Sequence, residues 1–336
     1  EIQLGDWSSD VCSSDLEDWP SKQTEERTLH LAHGKLLDRP CEKKESVKLK
    51  TPLNHGLLAG EWMGAAVPGE SPSDQRIDDG MAMVFEGEVL SEPLEILGYP
   101  RFEIELSSDK PCAMLFAQLS DVAPDGAVTR VTYGVMNLTH LEGHDRVVRL
   151  EPGKKVKAWV KLDCAGHRFK PGHRMRLSLA TTFWPMFWPM PEEATLTLDL
   201  ATGVLRLPVF KESVEGRAPE AQPESAPLTP TTFLTEGYVD RSVSYDILKD
   251  TWTCITNGVG GVFGEGIYRF DEIDVTVEHN LKRELVLTNG DPLSAKYNLY
   301  QKMRLGREGW WTEANILTSL PSWRSEERRV GKECRS

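Results

Sequence analysis

The chain predicts an all-β protein built as two units, and three observations carry that reading. Apolar residues recur with period two along short runs, as on a half-buried strand. Turn dipeptides separate the runs at regular intervals. No long amphipathic helix period interrupts the first unit.

The strands of that unit read off in order. Arg101 to Ser107 sets Phe102, Ile104 and Leu106 on one face against Glu103 and Glu105. Cys112 to Leu119 is apolar on nearly both faces, as a central strand should be. Pro124-Asp125-Gly126 follows: Pro presets φ and Gly tolerates φ > 0, so the piece reads as a hairpin turn. Thr129 to Leu138 puts Val131, Tyr133 and Val135 together. Pro152-Gly153 and Pro171-Gly172 bracket a strand at Val156 to Leu162. His173 to Ala180 puts Met175, Leu177 and Leu179 together, and Thr195 to Leu200 and Leu205 to Val209 close the series. Short strands at this spacing make a sandwich or a barrel.

Residues 211–230 are rich in Pro and Glu and hold no aromatic residue. Such a stretch buries too little apolar surface to order itself and reads as a linker. Strands are predicted again at Tyr238 to Ile247, Thr251 to Thr256, Ile273 to Val277, Glu284 to Thr288, Ala295 to Met303 and Trp310 to Leu317. Asn257-Gly258 and Asn289-Gly290 read as turn dipeptides. The expected layout is therefore a β domain at 17–210, the linker, and a smaller β-rich unit at 231–323.

The two ends read differently. Residues 6–16 are DWSSDVCSSDL and residues 324–336 are RSEERRVGKECRS. Both resemble translations of common sequencing-adaptor DNA, and neither has a helix or strand period. Segments 1–16 and 324–336 are therefore expected to be artefacts, with the natural chain running from about Glu17 to Trp323.

Composition narrows the function. The chain has 336 residues, 39% of them apolar, and can bury a real core. It has no run of 18 apolar residues, as a membrane-spanning helix would need, and no secretory signal pattern. A net charge of −13 argues against nucleic acid or an anionic membrane as partner. Between the adaptor-like ends stand Cys41, Cys112, Cys164 and Cys254, with no CxxC pair, so no zinc or redox motif is expected. Scattered thiols fit a reducing cytoplasm. No cofactor is implied.

Catalytic motifs are few. No G-x-S-x-G elbow exists; Ser71, in Gly69-Glu70-Ser71-Pro72-Ser73, lacks the second Gly and the strand-turn-helix context. His140 and His144 flank Glu142-Gly143 at a strand end, which reads as a loop and not a metal site. Gly258-Val259-Gly260-Gly261 lacks the following helix of a phosphate loop. Neither catalytic nor metal-ligating residues are therefore expected. The least ordinary feature is Thr181 to Pro191, TTFWPMFWPMP. Its prolines lack the ladder donor, so it must be a loop leaving the strand that ends near Thr182. A loop this apolar packs against its own sandwich, another domain, a partner subunit or a ligand. The candidate docking residues are Phe183, Trp184, Pro185, Phe187 and Trp188.

Several pieces in order resemble the C-terminal domain of the CocE/NonD α/β-hydrolases, relatives of X-Pro dipeptidyl-peptidases. They are Pro72-Ser73-Asp74-Gln75-Arg76, Leu94 to Gly98, Leu119 to Gly126, Val131-Thr132-Tyr133-Gly134, Phe169 to Arg174 and the Trp-Pro loop. Asp291-Pro292-Leu293-Ser294-Ala295 resembles a C-terminal extension of one branch. The resemblance covers roughly Glu26 to Leu320. It implies a jelly-roll β-sandwich that packs on an N-terminal α/β-hydrolase domain and helps wall its active site. It also implies a serine esterase or dipeptidyl-peptidase parent whose Ser-His-Asp triad precedes the jelly roll. No position here matches a triad member, so the chain alone is expected to be inactive, with the hydrolase domain as partner. A homo-oligomer is left open. The alternative is a stand-alone carbohydrate- or ligand-binding jelly roll with the Trp-Pro loop as its platform.

Overall fold

The computed structural model describes residues 21–61, 67, 69–211 and 227–322. Both adaptor-like ends and most of the 211–230 segment lie outside the described residues. The chain divides into two compact units. The first takes in Glu1–Leu58, Pro72–Phe183 and Glu192–Glu220; the second takes in Ala59–Ser71, Trp184–Pro191 and Ala221–Ser336.

The first unit is all-β. Its strands are β1 (Thr24–Ala32), β2 (Lys35–Leu37), β3 (Ser46–Leu49), β4 (Met83–Glu86), β5 (Leu94–Gly98) and β6 (Arg101–Ser108). Then come β7 (Met114–Val122), β8 (Val128–Asn137), β9 (Val156–Lys161), β10 (Ala165–Phe169), β11 (Arg174–Ala180) and β12 (Leu196–Phe210). One four-residue helix, α1 (Arg76–Asp79), precedes β4. The hydrogen-bonded order is β10-β5-β12-β1-β2-β4-β11-β7-β8; β3 and β6 also pair with β12, and β9 with β6. The pairs are antiparallel except for a single parallel contact between β2 and β4.

The core follows the predicted alternation. Phe102, Ile104 and Leu106 of β6 are buried together with Leu115 and Leu119 of β7, Leu177 and Leu179 of β11, and Leu196 and Leu198 of β12. Every residue of β7 is buried, between β8 and β11, as its apolar run required. Two predicted details differ. Thr195–Leu200 and Leu205–Val209 are one strand, bent where its register against β6 shifts between Asp199 and Val204. In β8 the register shifts opposite Leu119 and Ser120. Val131 and Met136 therefore pack on the core, while Tyr133 lies beside Phe116 and Phe183, out of step with Val131.

The second unit is a seven-stranded antiparallel sheet. Its strands are β13 (Thr231–Thr235), β14 (Tyr238–Asp246), β15 (Thr251–Val259), β16 (Ile267–Phe270), β17 (Val275–Thr288), β18 (Asp291–Arg307) and β19 (Trp310–Pro321). The path β13-β16-β17-β15-β14 is extended by β18 on β17 and by β19 on β18. The predicted strand at 284–288 and the last three residues of the one at 273–277 are both part of β17. Asn289-Gly290 does turn, with Gly290 at φ +69° between β17 and β18. Asn257-Gly258 does not: both residues sit inside β15, paired with β14 on one side and β17 on the other. Gly258 is there because of crowding, since a Cβ would meet the Gly261 carbonyl oxygen at 2.6 Å. Among the described residues no helix is long and apolar enough to cross a membrane.

Candidate functional site

The aromatic loop begins where β11 ends. Thr181 and Thr51 exchange hydrogen bonds, each backbone N–H donating to the other's hydroxyl at 3.1 Å. The Thr182 hydroxyl donates to the Pro52 carbonyl at 2.8 Å, and His55 Nδ1–H donates to the Thr182 carbonyl at 2.7 Å. These bonds fix the exit of the strand and aim Phe183 inward. Its ring stacks on Phe116 with centroids 4.0 Å apart, flanked by Tyr133 and His55. Phe183 is 1% exposed. At about 25 cal/mol per Å² and 150–250 Å² for a ring, its burial is worth roughly 4–6 kcal/mol.

The rest of the loop belongs to the second unit. Trp184 is also 1% exposed, and its ring meets Trp188 edge-on at 5.3 Å. The Trp188 indole donates to the Ser322 hydroxyl at 2.9 Å. The Trp184 indole nitrogen is buried without an acceptor among the described residues. Pro185, Phe187 and Trp188 are half-buried. Among the packing options the sequence leaves open for the loop, Phe183 and Trp184 take the cover of the chain itself.

Two charged clusters lie in the first unit, close to the pieces Pro72–Arg76, Leu119–Gly126 and Phe169–Arg174. The first is built on α1. Arg176 of β11 donates to Asp79 at 2.6 Å and to Glu86, and the Ser178 hydroxyl donates to Asp79 at 2.6 Å. Asp78 accepts the backbone N–H groups of Gly56 and Leu58 at 3.3 Å. Gln75 donates to the carbonyls of Ser73 and Leu58. The Pro72–Arg76 piece and the helix after it thus brace the 51–58 loop that anchors Thr181 and Thr182. Burial pushes the Asp78 carboxyl up to about 6, with Asp79 adding to the rise and the two N–H donors opposing it. Burial pushes His55 down to about 4, so it is a neutral packing group at physiological pH.

In the second cluster Asp121 of β7 holds two imidazoles. Its Oδ1 meets His173 Nδ1 at 2.8 Å and its Oδ2 meets His167 Nε2 at 2.9 Å. A carboxylate beside an imidazole is half of a nucleophile-activating set. Ser120, next in sequence, accepts from Gln118, and Ser178 gives its proton to Asp79.

The second unit has its own part-buried ion pairs. Arg241 donates to Glu70 at 2.9 Å, and Arg283 donates to Glu61 and to the Thr256 hydroxyl. Burial pushes the Cys254 thiol up to about 12, the Glu61 charge adding to the rise and Arg283 opposing it. A thiol held there is no nucleophile at neutral pH. Cys41, Cys112, Cys164 and Cys254 are all free. Among the described residues no group of three His, Cys, Asp or Glu side chains is placed to hold a metal ion.

Residues 9–222 match the X-Pro dipeptidyl-peptidase C-terminal non-catalytic domain. The chain belongs to that family. The resemblance carried by Pro72–Arg76, Leu119–Gly126 and Phe169–Arg174 to the C-terminal region of the CocE/NonD hydrolases therefore holds. A cocaine esterase of Rhodococcus sp. (strain MB1 Bresler) is 25% identical over 118 residues, which cover 34% of this chain and 21% of the esterase. A crystal structure of an aminopeptidase from the marine sediment archaeon Thaumarchaeota archaeon superposes with a TM-score of 0.53 at 18% identity. That match covers 58% of this chain and 38% of the aminopeptidase, and it speaks for the fold alone. The chain thus spans about a fifth of the curated esterase.

Proposed function

We propose that this chain is the non-catalytic C-terminal part of a serine hydrolase. Its β-sandwich packs on an N-terminal α/β-hydrolase domain and walls that domain's active site. The observation that carries the reading is the match of residues 9–222 to a domain described as non-catalytic. The chemistry of the described residues agrees with it. Triad catalysis needs a nucleophile, a base and oxyanion donors together. Here Ser178 is spent on a carboxylate and His55 is buried and neutral.

The parent reaction is acyl transfer to water from an ester or amide of a small acyl group, through a serine acyl-enzyme. The docking residues of this reading are Phe183, Trp184, Pro185, Phe187 and Trp188, of which Pro185, Phe187 and Trp188 are the half-buried part. The reading puts the protein in a reducing compartment, the cytoplasm, and the four free thiols among the described residues support it. The sugar-platform alternative loses ground, because Phe183 and Trp184 present no open ring face for stacking.

The test is direct. The purified chain should release no burst of p-nitrophenol from an activated ester and should not take a fluorophosphonate label. Stoichiometric labelling of one of its serines would overturn the reading. Source DNA ahead of Glu17 should encode an in-frame G-x-S-x-G elbow; a glycosidase domain there would overturn it as well.

A further inference from the structure

A cavity of about 560 Å³ opens on the second unit's sheet, across β15, β17, β18 and β19, and it is the size of a small-molecule site. The ladders decide which residues face it, because partners across an antiparallel pair share a side and sides alternate along a strand. Asn280, Lys302 and Asn315 form one row. Asn257, Lys282, Tyr300 and Leu317 form the next row on the same face. Leu281, Gln301 and Ile316, in the row between, point to the opposite face, so only their backbone can line the cavity. Four strands at a spacing of about 4.8 Å give it a breadth of about 14 Å.

We propose that this cavity binds a short, neutral oligosaccharide. The side chains that face it select the ligand. Lys282 meets Glu284 at 2.7 Å, and Lys302 lies 3.9 Å from Glu278 and 3.6 Å from Glu313. Each lysine is already matched by a carboxylate, so an anionic ligand gains little there. An extended peptide needs an unpaired strand edge, and β17 and β18 each pair on both sides. Leu317 is the one aliphatic side chain in the two rows, too little for an apolar ligand. A ligand with many hydroxyls and no charge fits what is left. The amides of Asn257, Asn280 and Asn315 suit it. Asn280 and Asn315 donate their side-chain N–H groups to Glu278 and Glu313 at 2.9 and 2.8 Å. Each carboxylate thereby turns the amide so that its carbonyl oxygen is left to accept from a hydroxyl. The Asn280 oxygen is out of water with no partner among the described residues, and a sugar hydroxyl would supply the missing donor. Tyr300 is 43% exposed and adds an apolar ring face with a hydroxyl at its tip. A sugar ring lying flat on Tyr300 directs its own hydroxyls outward, toward the amides of the neighbouring strands.

This inference is independent of the hydrolase reading, because it concerns binding by the second unit and no step of catalysis. Isothermal titration of the full chain with maltotriose, cellotriose, mannotriose and galactotriose tests it. At least one of these should bind with a Kd of about 1 mM or lower. For that sugar, Tyr300→Ala and Asn280→Ala should each weaken binding about tenfold or more, with unchanged β-sheet circular dichroism. If Asn280→Ala does not fold, Asn315→Ala, at an exposed position, takes its place and should weaken binding likewise. Met303→Ala, on the opposite face of β18, should leave the affinity unchanged. Inorganic phosphate and hexaglutamate at about 10 mM should not displace the sugar. No binding of any of these sugars, binding that survives Tyr300→Ala, loss with Met303→Ala, or displacement by phosphate or hexaglutamate would each overturn the proposal.

Discussion

Arg176 Nη1 donates to Asp79 Oδ2 across 2.6 Å, with both side chains largely out of water. The same guanidinium reaches Glu86, and Ser178 completes the Asp79 carboxylate. Removing one member of a buried pair strands the other without water, which costs about 3–5 kcal/mol. Arg176→Met leaves Asp79 with only the Ser178 hydroxyl, while Glu86 keeps Arg174, and should lower the unfolding free energy by that order. Asp79→Asn with Arg176→Met should cost less than the sum of the single changes, because the groups share one network. Strict additivity in a double-mutant cycle would mean the contact contributes nothing.

Asp78 and His55 make opposing contributions to stability across acid pH. Burial raises Asp78 from 3.8 to about 6, so the folded state binds that proton more tightly than the unfolded chain. Its contribution is present at low pH and is lost as pH rises from about 4 to 6. Burial lowers His55 from 6.5 to about 4, so there the unfolded chain is the tighter binder. That contribution grows as pH rises through the same window. Asp78→Asn should therefore leave a protein that gains stability from pH 4 to 6 relative to the parent, by about 3 kcal/mol at most. His55→Gln should do the reverse. Parallel urea-unfolding curves for all three proteins at pH 4, 5 and 6 would contradict both assignments.

The all-β architecture and most strands were legible because one face of each strand is buried, and burial imposes the period. Phe102, Ile104 and Leu106 show it directly. What was not legible came from contacts remote in sequence. Asp79 meets Ser178 across 99 residues, and Asp121 meets His173 across 52. No local pattern announces such pairs. Gly258 misled for a related reason: glycine marks either a turn or a close approach, and only the fold tells which. Gly258→Ala should therefore destabilise more than Gly34→Ala. Gly34 has positive φ but open space around it, so its cost is about 1 kcal/mol.

The aromatic loop divides into rings that hold the fold and rings that face outward. Phe183→Ala removes a stacked, buried ring and should cost about 3–5 kcal/mol in thermal or urea unfolding. Trp184→Phe leaves a void at a fully buried site but removes an indole N–H with no acceptor among the described residues, so it should cost less than Phe183→Ala, about 1–2 kcal/mol. Trp188→Phe loses the bond to Ser322 and should cost about 1 kcal/mol. A loss for Trp184→Phe as large as that for Phe183→Ala would contradict this division of the loop.

Thiol reactivity gives a separate check on the second unit. Cys254 is pushed up to about 12, by burial first and then by the charge of Glu61, against the opposing charge of Arg283. At pH 8 a thiol with that pKa is about one part in ten thousand thiolate, and only the thiolate attacks an alkylating reagent. Cys164 is exposed and should be alkylated by iodoacetamide well before Cys254. Glu61→Gln removes the carboxylate that opposes ionisation and releases Arg283 to favour it. Labelling of Cys254 should then quicken while Cys164 keeps its rate. Arg283→Met should slow Cys254 further, provided circular dichroism shows the sheet intact. Equal rates at Cys254 in the parent and in Glu61→Gln, followed by mass spectrometry of the alkylated peptides, would mean that burial alone protects the thiol.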